Sequence, residues 1–127
     1  MRSVRGLIVR ASRDFELAKG YKQIREYVTA TLLYTKSIEE ALRALFISRT
    51  RRVPPKDASI TYLARGAGVP EEVSVYIASM EERDATEDPS DLNGIEGKEG
   101  FGSEENAFFM DGLAQRLLDY VYAYRRI

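Results

Sequence analysis

The sequence predicts an all-α fold, an antiparallel bundle of three long helices plus two short ones, within a single domain over residues 1–127. Three observations carry that prediction. Tyr27, Thr31, Tyr34, Ile38, Leu42 and Leu45 recur at steps of three or four, so they stack on one side of a helix. Val4, Leu7, Ile8, Ala11, Phe15, Ala18 and Tyr21 near one end, and Ala107, Met110, Ala114, Leu117, Val121 and Tyr124 near the other, repeat the same spacing. No stretch alternates convincingly as a strand, and 127 residues suffice for one core.

In chain order, the first long helix is expected from Ser3 to Gln23, with Arg5, Arg10, Arg13, Glu16 and Lys19 off its apolar stripe. A turn is placed near Ile24 to Glu26, because one helix running on to Ser48 would exceed the usual globular length. The second long helix, Tyr27 to Ser48, is the central one, since Val28, Leu32, Ala41 and Phe46 widen its stripe beyond a narrow face. Pro54 and Pro55 stop the chain from continuing helically. Asp57 or Ser59 then caps a short helix carrying Ile60, Leu63, Ala64 and Ala67, ended by Gly66 and Gly68. Pro70 opens a fourth helix with Glu71 and Glu72 in its first turn and Val73, Tyr76, Ile77 and Met80 on its apolar face. Residues 84–102, acidic and rich in Gly, bury too little apolar surface to offset their ordering entropy and read as a mobile acidic loop. Ser103 is the expected N-cap of the last helix.

The composition removes several chemistries. With no Cys there is no disulfide framework, thiolate metal site or cysteine nucleophile. With no His the commonest general base and the usual zinc ligand are also gone. No stretch of about 18 apolar residues is available for a membrane span, and a cytoplasmic location is expected. The formal charge of −1 hides an asymmetry. Through Arg52 there are 12 basic and 5 acidic residues; from Val53 onward there are 7 and 15. Either the basic half meets an anionic ligand, or the two halves pack together and neutralise each other.

The sharpest local feature is the run Arg49, Arg51 and Arg52, with Lys56 close behind and Arg43 earlier on the same helix. Cations at a helix C-terminus complement its dipole, which is one explanation. The other is that guanidinium forks gather a phosphate or an acidic partner. Aromatic residues interleaved for base stacking are missing from the run. Tyr34, Tyr120, Tyr122 and Tyr124 are interface candidates: the last three cannot share one helix face, and an exposed Tyr suits a homodimer contact. The adjacent carboxylates Glu39/Glu40, Glu71/Glu72, Glu81/Glu82 and Glu104/Glu105 point about 100° apart and read as solvated surface.

The segment Glu40-Ala41-Leu42-Arg43-Ala44-Leu45-Phe46 resembles the E-K-A-L-K-A-L-L segment of the HEPN superfamily of small helical bundles. Ala18, the Tyr27 to Ala30 region, the Pro-containing loop, the short helix with Leu63, the Val69-Pro70-Glu71 helix start and the long final helix follow in that superfamily's order. The resemblance implies a dimer-forming bundle associated with nucleotides, with RNA or with a small nucleotidyltransferase-type protein partner. Many members cleave RNA with an R-x4-6-H motif, and this chain, having no His, departs from it. Arg83 stands near where that arginine falls, but the residue five positions on is Asp88, which cannot act as an acid at neutral pH without a large pKa rise. The expectation is therefore a non-catalytic HEPN-like bundle, dimeric, with neither cofactor nor metal. Its basic edge, formed by Arg43, Arg49, Arg51, Arg52, Lys56 and Arg83, binds a nucleotide, RNA or the protein partner. The alternative is a structural or protein-interaction bundle that forms a homo-oligomer with no nucleotide or nucleic-acid role.

Overall fold

The structure, a computed structural model, describes residues 3–85 and 102–125. Among them run five helices: α1 Val4–Gln23, α2 Tyr27–Thr50, α3 Ile60–Ala67, α4 Glu71–Ala85 and α5 Glu104–Arg125. The fold is all-α, as its periodicities require. α2 runs two residues past Ser48, so Arg49 belongs to its last turn. α4 likewise takes in Asp84 and Ala85. The acidic stretch expected as a loop otherwise lies, up to residue 101, outside the described residues.

Each helix end has a local cause. Ser3 caps α1 by accepting the Gly6 N–H at 3.0 Å, and Ser59 and Ser103 do the same for α3 and α5 through the N–H groups of Tyr62 and Asn106. The turn after α1, which has neither Gly nor Pro, is made by Arg25 at φ 64°. Glu26 N–H bonds back to the Tyr21 carbonyl and Arg25 N–H to that of Lys22, the paired bonds of a Schellman ending. Gly68 at φ 63° closes α3, whereas Gly66 lies inside that helix for a packing reason given below.

Contacts between side chains fix the directions. Ser12 on α1 meets Tyr122 on α5, while Lys22 meets Asp111, so α1 and α5 are antiparallel. Tyr34 on α2 meets Asp111, and Arg49 meets Tyr124, so α2 and α5 run the same way. α1 is thus antiparallel to both of the other long helices. The core draws on all five helices, with Phe15, Tyr34, Ile38, Leu42, Leu45, Leu63, Val73, Leu113, Leu117 and Val121 among its buried side chains. Each such large apolar side chain contributes on the order of 1.5–3 kcal/mol by leaving water. Small residues at the α1–α2 seam, Ala11, Ala18, Ala30 and Ala44, bring those helices close, and the buried Ser37 hydroxyl donates to the Ala11 carbonyl at 2.6 Å. The ion pair between Lys22 and Asp111, 3.0 Å apart, joins the basic and acidic halves of the chain.

Candidate functional site

Folding divides the basic residues around the end of α2 into two sets. Arg43 is partly buried. It pairs with Glu39 at 3.4 Å and donates to the carbonyls of Pro55 and Lys56 at 3.3 and 2.8 Å, which pins the Pro-containing loop against α2. Arg49 donates through Nε to the Ala67 carbonyl at 3.0 Å, and its guanidinium lies 5.2 Å from the ring centre of Tyr124. It also crowds Gly68, where an added Cβ would sit 3.1 Å from its Nε. These two arginines, expected at the ligand-binding edge, tie α2 to the loop, to α3 and to α5. Their bonds go to backbone carbonyls, of which that of Pro55 also accepts the Ala58 N–H at 3.2 Å.

Arg49 nevertheless stays exposed, and so does the rest of the run. Arg51 takes the left-handed φ of 62° that ends α2, its N–H bound to the Ile47 carbonyl, and its side chain is exposed. Arg52 is exposed as well, with its N–H on the Thr50 hydroxyl at 3.1 Å, and that hydroxyl in turn donates to the Phe46 carbonyl at 2.8 Å. Lys56 is exposed. Arg83 lies on α4, and its side chain falls outside the described residues.

Arg52 is joined by a partner that the sequence analysis did not single out. With Phe46, Thr50, Tyr62, Arg65 and Gly66 it lines an open groove of about 560 Å³ between the end of α2 and α3. The Phe46 ring lies directly on the Gly66 backbone, since a Cβ at position 66 would overlap its Cε2 and Cδ2. That contact is why a helix of eight residues tolerates an internal Gly. Tyr62 stacks on Phe46 with ring centres 5.6 Å apart at 27°, yet keeps 49% of its surface exposed. Among the described residues, neither the Arg52 nor the Arg65 guanidinium has a hydrogen-bond or ion-pair partner. No carboxylate lines the groove, so it offers two cations beside an aromatic face. Tyr62 and Arg65 are three residues apart on a helix and therefore share a side of it. That spacing was the available signal.

On the α1 side of α2 the chemistry is reversed. Glu40, read from sequence as a solvated neighbour of Glu39, is only 7% exposed and faces Asp14 of α1. Burial foremost, then the hydrogen bond and the charge of Asp14, push its carboxyl up to about 8, with Lys36 and Arg10 pulling the other way. Glu40 Oε1 has no hydrogen-bond partner. The pair of acids that converges from facing helices is thus Asp14 and Glu40 rather than two adjacent Glu.

The tyrosines separate too. Tyr34 is fully buried, its hydroxyl on Asp111 at 2.5 Å and its ring against Phe15, so it presents no surface to a partner. Burial first, then the Asp111 hydrogen bond and charge, raises its pKa well above the ordinary phenol range. Tyr120 and Tyr124 stack on each other with centres 6.4 Å apart, while Tyr122 on the intervening face is 47% exposed and reaches Ser12 with its hydroxyl. Among the described residues no group of three His, Cys, Asp or Glu side chains gathers to hold a metal ion. No described helix is long and apolar enough to cross a membrane.

No curated protein matches the chain in sequence. The crystal structure of an archaeal HEPN homologue superposes with a TM-score of 0.73 over 98% of both chains at 24% identity, a likeness of fold. The family pattern described as the HEPN domain matches residues 4–120, from the first residue of α1 into the last two turns of α5. The chain belongs to the HEPN domain family.

Proposed function

We propose that this HEPN domain is a non-catalytic binding module that holds an anionic ligand, a nucleotide or RNA, at the exposed basic edge where α2 meets α3. The observation that carries the reading is the pair Arg52 and Arg65, two exposed guanidiniums from different elements on one groove with no described acidic partner. Arg51 and Lys56, exposed nearby in the chain, add to the field that would draw an anion in. Unpaired guanidiniums keep their five donors for planar oxyanions, whereas Arg43 and Arg49 have already committed donors to backbone carbonyls. No groove side chain is of a type that titrates near neutral pH, which supports binding without acid–base chemistry.

The test is fluorescence anisotropy of a labelled single-stranded RNA oligomer across a salt series. Binding should weaken steeply with salt, and the double variant Arg52→Ala/Arg65→Ala should lose at least about tenfold in affinity and flatten the salt slope by about two phosphate contacts. Equal affinity for wild type and variant at every salt concentration would remove the reading.

A second reading, in which the bundle serves only self-association, rests on a different observation. Leu17, Tyr21 and Ile24 at the end of α1, with Val28 and Leu32 at the start of α2, are exposed large apolar side chains around one hairpin turn. Under it the same experiment returns no salt-dependent RNA binding at all.

A further inference from the structure

We propose that the groove between α2 and α3 recognises a nucleotide unit, with an unpaired nucleobase stacked on the exposed side of Tyr62 and its phosphate gripped by Arg52 and Arg65. The proposal rests on the anion-binding reading above and names both the ligand chemistry and the residue that reads it.

A site for phosphate alone would need the two arginines and nothing more. The groove also holds an aromatic platform, and the platform is prepared in advance. Gly66 lets the Phe46 ring settle onto the α3 backbone, and Phe46 backs the Tyr62 ring at 5.6 Å and 27°. Tyr62 is therefore held from behind while about half of it remains in water. A ring fixed in this way loses little freedom when a base lands on it, so most of the stacking energy survives as affinity.

The placement of the cations fits the same unit. Arg65 follows Tyr62 by one helical turn, and Arg52 reaches the groove from the end of α2. A base on Tyr62 thus has guanidiniums from two elements to meet its own phosphate, and each fork can take two oxygens. Because every base has a π face, stacking of this kind tolerates different bases. An acidic peptide would satisfy the arginines through its carboxylates and would use the Tyr62 face only where it also carries an aromatic side chain, whereas a nucleotide brings phosphate and ring in one unit. The open groove leaves room for a chain to enter and leave, so the nucleotide can be free or can be one residue of a single strand.

The experiment titrates the full chain with inorganic phosphate, AMP and a single-stranded RNA octamer, following affinity by calorimetry and the Tyr62 ring protons by NMR. AMP should bind more tightly than phosphate and move the Tyr62 resonances upfield. Tyr62→Ala should weaken AMP about tenfold and leave phosphate unchanged, while Tyr62→Phe retains wild-type affinity. Tyr62→Leu keeps an apolar contact on Phe46 and removes the π face, so it should behave as Tyr62→Ala even if the smaller side chain loosens α3. An octamer that binds at least about tenfold more tightly than AMP identifies a strand as the source. An octamer no tighter than AMP identifies a free nucleotide. Equal binding of phosphate and AMP, or an unchanged Tyr62→Leu, overturns the base-stacking proposal. The anion-binding reading then still stands if Arg52→Ala/Arg65→Ala weakens RNA. Loss of all salt-dependent binding removes both.

Discussion

α2 packs against both α1 and α3, and the two regions beside it treat charge in opposite ways. Towards α1, Glu40 is buried beside another acid and holds its proton up to about pH 8. Towards α3, Arg52 and Arg65 stay in solvent around an open groove, unpaired among the described residues. A carboxyl removed from water next to a like charge gives up its ionisation, whereas a guanidinium left at the surface keeps both charge and donors. The first region sets stability, and the second is where a ligand can be bound. Arg43 and Arg49 lie between these cases as cations that stabilise the fold through carbonyls.

The largest effect should come from Phe46, which supports α3 and floors the groove. Phe46→Ala should cost about 3–5 kcal/mol, read as a lower urea midpoint at unchanged m-value, and should abolish binding at the groove. An intact groove in that variant would separate the platform from the core.

Next is the pH dependence of the α1–α2 seam. The Glu40 pKa is raised from 4.5 to about 8, with Asp14, Arg10 and Lys36 as the charged groups around it. Between those values the folded chain holds a proton that the unfolded chain has released, so stability should fall as pH rises from about 4.5 to about 8. The slope from one such proton is at most about 1.4 kcal/mol per pH unit. Glu40→Gln, neutral at every pH, should be the more stable form at pH 8 and should lack that slope in urea titrations at several pH values. A wild-type slope of the opposite sign would show that Asp14 and Glu40 do not share the burden this way.

The smallest effect sharpens the division among the arginines. Arg43→Ala takes a donor from the Lys56 carbonyl and from the Pro55 carbonyl, which keeps the Ala58 N–H, and should cost about 1–3 kcal/mol, whereas Arg52→Ala should change stability by less than about 0.5 kcal/mol. Equal costs would mean that the two arginines do the same work.

Much of the fold was legible from spacing, because a repeat of three to four residues is a property of each helix alone. Of the α2 stripe, Thr31, Tyr34, Ile38, Leu42 and Leu45 are buried and Tyr27 is partly so, but of the residues expected to widen it only Ala41 and Phe46 are buried, while Val28 and Leu32 are exposed because that side of the first turns meets no other helix. Ser103, and Ser59 as one of two candidates with Asp57, announced their caps because an N-cap is a contact over three residues, whereas Ser3, expected inside the first helix, turns out to be its cap. The turn at Arg25 was placed only by a length argument, since Arg gives no sign that it will take a left-handed φ.

The candidate site was less legible. Arg52 stood out in a basic run, yet the run contains no aromatic residue, and the one beside it in space, Tyr62, comes from ten positions further on. Nor does the run distinguish Arg49, whose carbonyl partner lies 18 residues away, from Arg52, which has none among the described residues. Glu40 was misread for the same reason, since its adjacent Glu39 is a partner of Arg43 and the acid that matters, Asp14, lies on another helix.

By itself, then, the sequence determined the helices, their caps and the face each one buries, because those depend on contacts over a few residues. Only the tertiary structure decided which cation remains free, which carboxyl is buried and which ring lies beside which arginine. Those outcomes depend on the desolvation and competing partners that each side chain meets across helices, and neither is encoded in the spacing along one.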